Sequence, residues 1–170
     1  MASELHVDAI KHSGGTSALT IDSSGNVHKA GMVVQVQRTY TATSGHISTT
    51  STSYVASGIQ CSITPKFSNS LILVDFVVPR AFVGSSEQLY AKMYIKVGSA
   101  SIGAMSSASD GHGGCSANGT DGALASGQSY TATSTDTLLF EPYYKSGGGG
   151  NAYLVHNGSS ISLTVTEIAQ

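Results

Sequence analysis

The run Leu71-Ile72-Leu73-Val74-Asp75-Phe76-Val77-Val78 decides the fold. It is apolar on both faces of an extended chain, with Asp75 as the one interruption, and it is rich in residues that favour strands. A strand apolar on both sides lies centrally in a sheet and is covered on both. In an all-β protein the second cover can be a neighbouring subunit. If Asp75 is buried there, it needs a cationic partner such as Arg38, Arg80 or a lysine.

The flanking sequence has the same extended character. Ile59-Gln60-Cys61-Ser62-Ile63 alternates and stops at Pro65, with Cys61 reading as a small core residue. Residues 89–97 have two faces: Leu89, Ala91, Met93, Ile95 and Val97 on the core side, and Tyr90, Lys92, Tyr94 and Lys96 on the other. Residues 32–43 read as a long strand with Val34 and Val36 on one face and Gln35 and Gln37 on the other. Residues 48–56 suit an edge strand, and 102–105 a short one. Residues 106–128, rich in Gly, Ser and Asn, read as a long loop or loosely paired segment. Strands are expected over 130–141 and 153–156, separated by Gly147-Gly148-Gly149-Gly150, and the chain closes on alternating Ile161, Leu163 and Val165. No window shows helical periodicity. Many short strands with turns between them, and a strong last strand, predict an all-β jelly-roll β-sandwich.

Ahead of this domain, expected over 32–170, residues 1–31 form a separate unit. Its alternating run ends at Ile10, then come Gly14-Gly15, the short strand Ala18-Leu19-Thr20-Ile21-Asp22, a turn at Ser23-Ser24-Gly25-Asn26, and Val27-His28-Lys29. Hairpin pieces this small cannot bury a core alone. They become stable when identical copies share one core around an axis. The unit therefore reads as a short extended β arm for attachment or trimerisation, with Leu5, Val7, Ile10, Leu19, Ile21 and Val27 as its contact residues.

Composition narrows the function. Only 11% of the 170 residues are charged and 40% are hydrophobic, with a net charge of −2. Lys and Arg residues are scattered, so the basic stripe that displaces phosphate counterions is missing and nucleic acid is not an expected partner. No apolar run approaches the length that spans a bilayer, so no membrane insertion is expected. Met1-Ala2-Ser3-Glu4-Leu5 lacks the basic and apolar regions of a signal peptide, so assembly in a cytoplasm is expected. Cys61 and Cys115 show no spacing that demands a disulfide.

The chemical motifs are thin. Asp110-Gly111-His112-Gly113-Gly114-Cys115 offers three ligand types but no second pair of ligands, and a Gly-rich surface loop accounts for it. No Gly-x-Ser-x-Gly elbow is present, and Gly147–150 lacks the Lys-Ser/Thr of a phosphate loop. Asn118-Gly119-Thr120 and Asn157-Gly158-Ser159 match glycosylation acceptors, which a product that stays in a cytoplasm would not use. His6, His12 and His28 could meet their copies on a threefold axis, but packed or solvated histidines are the expected reading. No metal, cofactor or catalytic residue is expected. Tyr is favoured both at interfaces and in sugar sites. Tyr90 and Tyr94, with Asp75, are assigned to a subunit interface, and Tyr143, Tyr144 and Tyr153, flanking the Gly run, to a receptor-binding loop.

Several blocks carry a family resemblance. Residues 5–12 and 14–27 resemble the N-terminal leader of virion structural proteins from marine and cyanobacterial tailed phages. Thr49-Thr50-Ser51-Thr52-Ser53-Tyr54-Val55 and residues 63–74 resemble the start of their globular domain, and 160–169 is similar to their closing strand. The blocks cover roughly a third of the chain and are distinctive only in combination. The resemblance implies a homotrimeric jelly roll, like that of complement and tumour necrosis factor domains, fixed to the virion by its arm through the major capsid protein or another virion protein. It implies no enzymatic activity.

Three readings follow. A trimeric capsid decoration protein or short head fibre is favoured, because thirty extended residues reach at most about 100 Å and folded hairpins much less. A tail-fibre module that recognises a host surface glycan is the alternative. A polysaccharide depolymerase using Asp75, Asp110 or Glu141 is the third, and it lacks an evident carboxylate pair.

Overall fold

Among the described residues every element is a strand or a turn, and the alternation of side chains decides which face of each strand is buried. The structure is a computed structural model that describes residues 7–15, 17–21, 23, 25, 27–84, 88–105, 113–116 and 121–170. The strands are β1 (Ala9–Lys11), β2 (Ser17–Ile21), β3 (Val27–His28), β4 (Val33–Ala42), β5 (Ile47–Thr49), β6 (Val55–Ala56), β7 (Cys61–Ile63), β8 (Leu71–Val83), β9 (Gln88–Val97), β10 (Gly103–Ala104), β11 (Gly113–Ser116), β12 (Asp121–Thr131), β13 (Leu138–Ser146), β14 (Ala152–Val155) and β15 (Ser160–Ile168).

Two six-stranded antiparallel sheets form the sandwich. In the first, β4, β15 and β8 lie in that order, with β12 on the other side of β8 and β14 and β5 continuing beside its far end. In the second, β6 and β7 flank one side of β13, β9 the other, and β10 and β11 pair with β9. The chain crosses between sheets at β5 to β6, β7 to β8, β8 to β9, β11 to β12, β12 to β13 and β13 to β14, the winding of a jelly roll.

β8 is the central strand that its sequence predicts, and it runs on to Val83. Ile72, Val74, Phe76 and Val78 point into the sandwich, where they meet Leu163 and Val165 of β15 and Leu138 and Phe140 of β13 in one buried cluster. Each such side chain contributes about 1.5–3 kcal/mol by leaving water. Pro79 is tolerated because the pairing with β12 skips there, between Val78 and Ala81, so no ladder bond is forfeited. The Asn157-Gly158 pair has positive φ at both residues, 47° and 71°, and turns the chain from β14 into β15. That conformation, rather than modification, accounts for the pair.

Three expectations need correction. Within the span read as a long loop or loosely paired segment, residues 113–116 are β11 paired to β9, and residues 121–128 belong to β12, whose Cα partners run from Asp121 opposite Phe82 to Thr131 opposite Leu71. Gly and Ser are poor strand formers, but a ready-made edge on β8 overrides the local preference. The expected strand at 130–141 is divided: β12 ends at Thr131 and β13 begins at Leu138. In β4 the valine phase is inverted. The register with β15 skips Val34, so Gln35 points inward and Val36 faces solvent with 54% exposure.

β1, β2 and β3 form their own three-stranded sheet. Leu19 and Ile21 are half-buried, whereas Ile10 and Val27 stand 47% and 42% exposed. The arm joins the sandwich through Gly31, whose N–H donates to the Ala169 carbonyl at 2.7 Å.

Candidate functional surfaces

The outward residues of the first sheet form a grid whose rows are fixed by register. One row is Tyr40, Ser162, Val77 and Ala125; the next is Arg38, Thr164, Asp75 and Gly127; the third is Val36, Thr166, Leu73 and Ser129. Val33, Val36, Tyr40 and Val77 are exposed large apolar residues. Arg38 and Asp75 are the two charges in these rows, both exposed, two strand spacings or about 10 Å apart. No ion pair joins them; Arg38 instead sits 5.7 Å from the Tyr40 ring. Asp75 is therefore not a buried acid with an internal partner. It leans over Gly127, where a Cβ would lie 3.2 Å from its Oδ1.

The second sheet has different chemistry on its outer face. Its register places Lys145 opposite Tyr90, Tyr143 opposite Lys92, and Glu141 opposite Tyr94. Lys145 Nζ lies 5.0 Å from the rings of both Tyr54 and Tyr90, Lys92 Nζ lies 5.0 Å from Tyr54, and Tyr94 stacks on Tyr143 at 3.9 Å between centroids. Tyr90 also hydrogen-bonds Gln88. The result is a diagonal stripe of rings and ammonium groups. Burial pushes the Tyr143 hydroxyl up from its ordinary pKa, with smaller contributions from Glu141 and Tyr94, so it stays a neutral phenol.

A third cluster lies at the far end of the first sheet. His156 stacks on Phe82 (4.4 Å) and on His46 (4.9 Å), and Tyr153 meets His46 edge-on at 5.0 Å. Asp121 joins the group to Arg80: its Oδ1 is 2.7 Å from His156 Nδ1, and its Oδ2 accepts from Arg80 Nε at 2.7 Å. The Arg80 hydrogen bond holds the Asp121 carboxyl below the usual carboxylate range, and His156 adds to the effect.

Two buried carboxylates are structural. Glu167, fully buried at the end of β15, accepts from the backbone N–H groups of Lys66 and Phe67, from Ser70 Oγ and from Gln35 Nε2. Glu141, on the outer side of β13, accepts from Gly58 N–H and from Gln60 Nε2, both at 2.9 Å. Together they tie the connections around β7 to both sheets.

The residues assigned from sequence are distributed as follows. Tyr90 and Tyr94 lie on the second sheet's outer face and Asp75 on the first sheet's, so they form no common patch within one subunit. Tyr143 belongs to the stripe, Tyr144 points into the core and donates from its hydroxyl to the Ser48 carbonyl, and Tyr153 lies in the histidine cluster. In the arm, Val7, Ile10, Leu19, Ile21 and Val27 are described and Leu5 lies outside the described residues, as do Asp110 and His112. Asp75 and Glu141 occupy opposite outer faces and form no carboxylate pair. Cys61 is a buried free thiol. Among the described residues no group of three or more His, Cys, Asp or Glu is placed to hold a metal ion.

No family model matches the chain, and no curated protein matches it. Among solved structures it is similar to Eiger TNF from S. frugiperda, at 9% identity over 79% of this chain and 92% of that one, with a TM-score of 0.45. It is also similar to infectious bursal disease virus, Gx strain, at 17% identity and a TM-score of 0.38, covering 96% of this chain. In that second case the chain spans 41% of its neighbour's length. These are likenesses of fold, at identities where residue roles do not transfer.

Proposed function

We propose that this chain is a structural protein of a tailed-phage virion, a homotrimer that decorates the capsid surface and is held there by residues 1–31. The observation that carries the reading is the outward grid of the first sheet. Its valines and Tyr40 stand as exposed large apolar side chains beside Leu73, and among the described residues its two charges of opposite sign have no ion-pair partner. Copies packed around a threefold axis would cover the valines and could pair Arg38 of one subunit with Asp75 of the next. In this reading Asp75 belongs to the interface, while Tyr90 and Tyr94 face the other way. The leader and closing-strand resemblances support the virion setting. The arm supports close attachment, because its short strands leave Ile10 and Val27 exposed for a shell protein or neighbouring copies to cover. The role in this reading is mechanical, without a catalytic step.

The test is the mass in solution of the full chain, of a chain lacking residues 1–31, and of Arg38→Glu, Asp75→Arg and the doubly exchanged variant. A trimer for the full and shortened chains, monomers for each single reversal and a trimer for the exchange are expected. A monomeric full-length chain, or single reversals that leave a trimer intact, would overturn the assignment of this face.

A further inference from the structure

The stripe on the second sheet is not used by that assembly, and it faces away from the grid. Its composition is unusual for this chain. Tyr54, Tyr90, Tyr94 and Tyr143 are four of the eight tyrosines, and with Lys96 the face holds three of the eight cationic residues in a protein of net charge −2. Its acidic residue, Glu141, has its oxygens engaged by Gly58 and Gln60. Three ammonium groups against this one carboxylate leave the face net positive between aromatic rings.

Lys92 is the most informative member. It is 7% exposed, and among the described residues its ammonium has no carboxylate and no hydrogen-bond acceptor; its neighbour is the Tyr54 ring. Buried ammonium groups are normally paired, because removing the charge from water is costly. An anion reaching the stripe from outside would supply such a partner. Lys145, held between Tyr54 and Tyr90, supplies a second cation a short step along the same diagonal. The Tyr94–Tyr143 pair closes the stripe with two stacked rings.

We propose that this face binds an acidic polysaccharide, a chain of uronic-acid sugars. The apolar faces of sugar rings pack on tyrosines, tyrosine hydroxyls bond sugar hydroxyls, and carboxylates meet Lys92 and Lys145. Nucleic acid fits less well. Its binding needs a track of cations along the phosphates, whereas the stripe's cations are few. In a trimer the stripe would be presented outward in three copies, adding avidity to weak single contacts.

The experiment is affinity electrophoresis and calorimetry of the full chain with polygalacturonate, with dextran as the neutral polymer and oligo(dT) as the polyphosphate. Tyr143→Ala, Lys145→Glu and Lys92→Met are compared with Thr135→Ala in the exposed turn between β12 and β13, and melting temperatures verify that each variant is folded. Binding of polygalacturonate that weakens with salt, no binding of dextran, and losses of about tenfold for each stripe variant but not for Thr135→Ala are expected. Lys92→Met keeps length and apolarity, so it separates loss of the charge from loss of the fold. Absence of polygalacturonate binding, equal binding of dextran, equal or tighter binding of oligo(dT), or affinity unchanged in folded stripe variants would each overturn the proposal.

Discussion

Replacing Glu167 with Gln tests the buried clasp at the end of β15. The carboxylate has two loaded oxygens. Oε1 accepts from Lys66 N (2.9 Å), Phe67 N (3.2 Å) and Ser70 Oγ (2.7 Å), while Oε2 accepts from Gln35 Nε2 (2.6 Å) and Lys66 N (3.1 Å). In Glu167→Gln the retained carbonyl is best placed at Oε1, which keeps three donors at neutral strength. The new NH2 then confronts Gln35 Nε2. Gln35 can turn its amide to offer oxygen, but it then gives up its bond to the Thr64 carbonyl at 2.7 Å. Hydrogen bonds to a charged group are worth about 1.5–3 kcal/mol and neutral ones about 0.5–1.5. Weakening several and losing one gives a destabilisation of about 3 kcal/mol, partly offset because the neutral amide is cheaper to bury. At roughly 2–4 °C per kcal/mol for a chain of this size, the melting temperature should fall by roughly 6–12 °C. Thermal melts followed by circular dichroism measure it. A fall of less than about 2 °C would refute the view that these bonds hold the connection after β7 to the sandwich.

Two further outcomes follow from the geometry. Because the folded-state pKa of Asp121 is depressed, chiefly by Arg80, its contribution to stability is complete above the unfolded-state value near 4 and is lost as pH falls through the lower folded value. Asp121→Asn should therefore flatten the acid limb of the stability curve below about pH 5, and added salt should shrink the difference because the pair is at the surface; identical acid limbs would refute this. Tyr144→Phe removes the bond to the Ser48 carbonyl and leaves the ring packed, so denaturant titration should show a loss of about 1 kcal/mol.

The parts of the fold legible in the sequence are those where burial alone sets the pattern. β8, β9 and β15 alternate or run apolar because the opposing sheet demands it, and Cys61 falls in phase with Ile59 and Ile63. β12 was not legible because its apolar content is slight; its stability comes from backbone pairing to β8. The inversion of β4 was hidden because it depends on a skipped residue in the register with β15. Glu167 did leave a signal: it continues the inward phase of Ile161, Leu163 and Val165, where an acid must find donors. Adjacent Tyr143 and Tyr144 could not share a surface, since neighbours in a strand face opposite ways. The stripe was half legible in Tyr90, Lys92, Tyr94 and Lys96; joining Tyr143, Lys145 and Tyr54 to it required the register of β13.

β12 has one further consequence. Among the described residues it pairs with β8 alone, so its other side offers a row of backbone donors and acceptors to any extended chain that approaches. Sheet borders are often guarded by lysines or prolines, and β12 has neither. Its outward positions are Ala123, Ala125, Gly127, Ser129 and Thr131. An intruding strand would gain ladder bonds but little apolar surface to cover, and the glycines would cost it order. The plainness of this segment thus protects it against cross-pairing, a hazard that grows when many copies are crowded together. Valines at 125 and 129 would remove that protection while leaving the inward face of β12 unchanged.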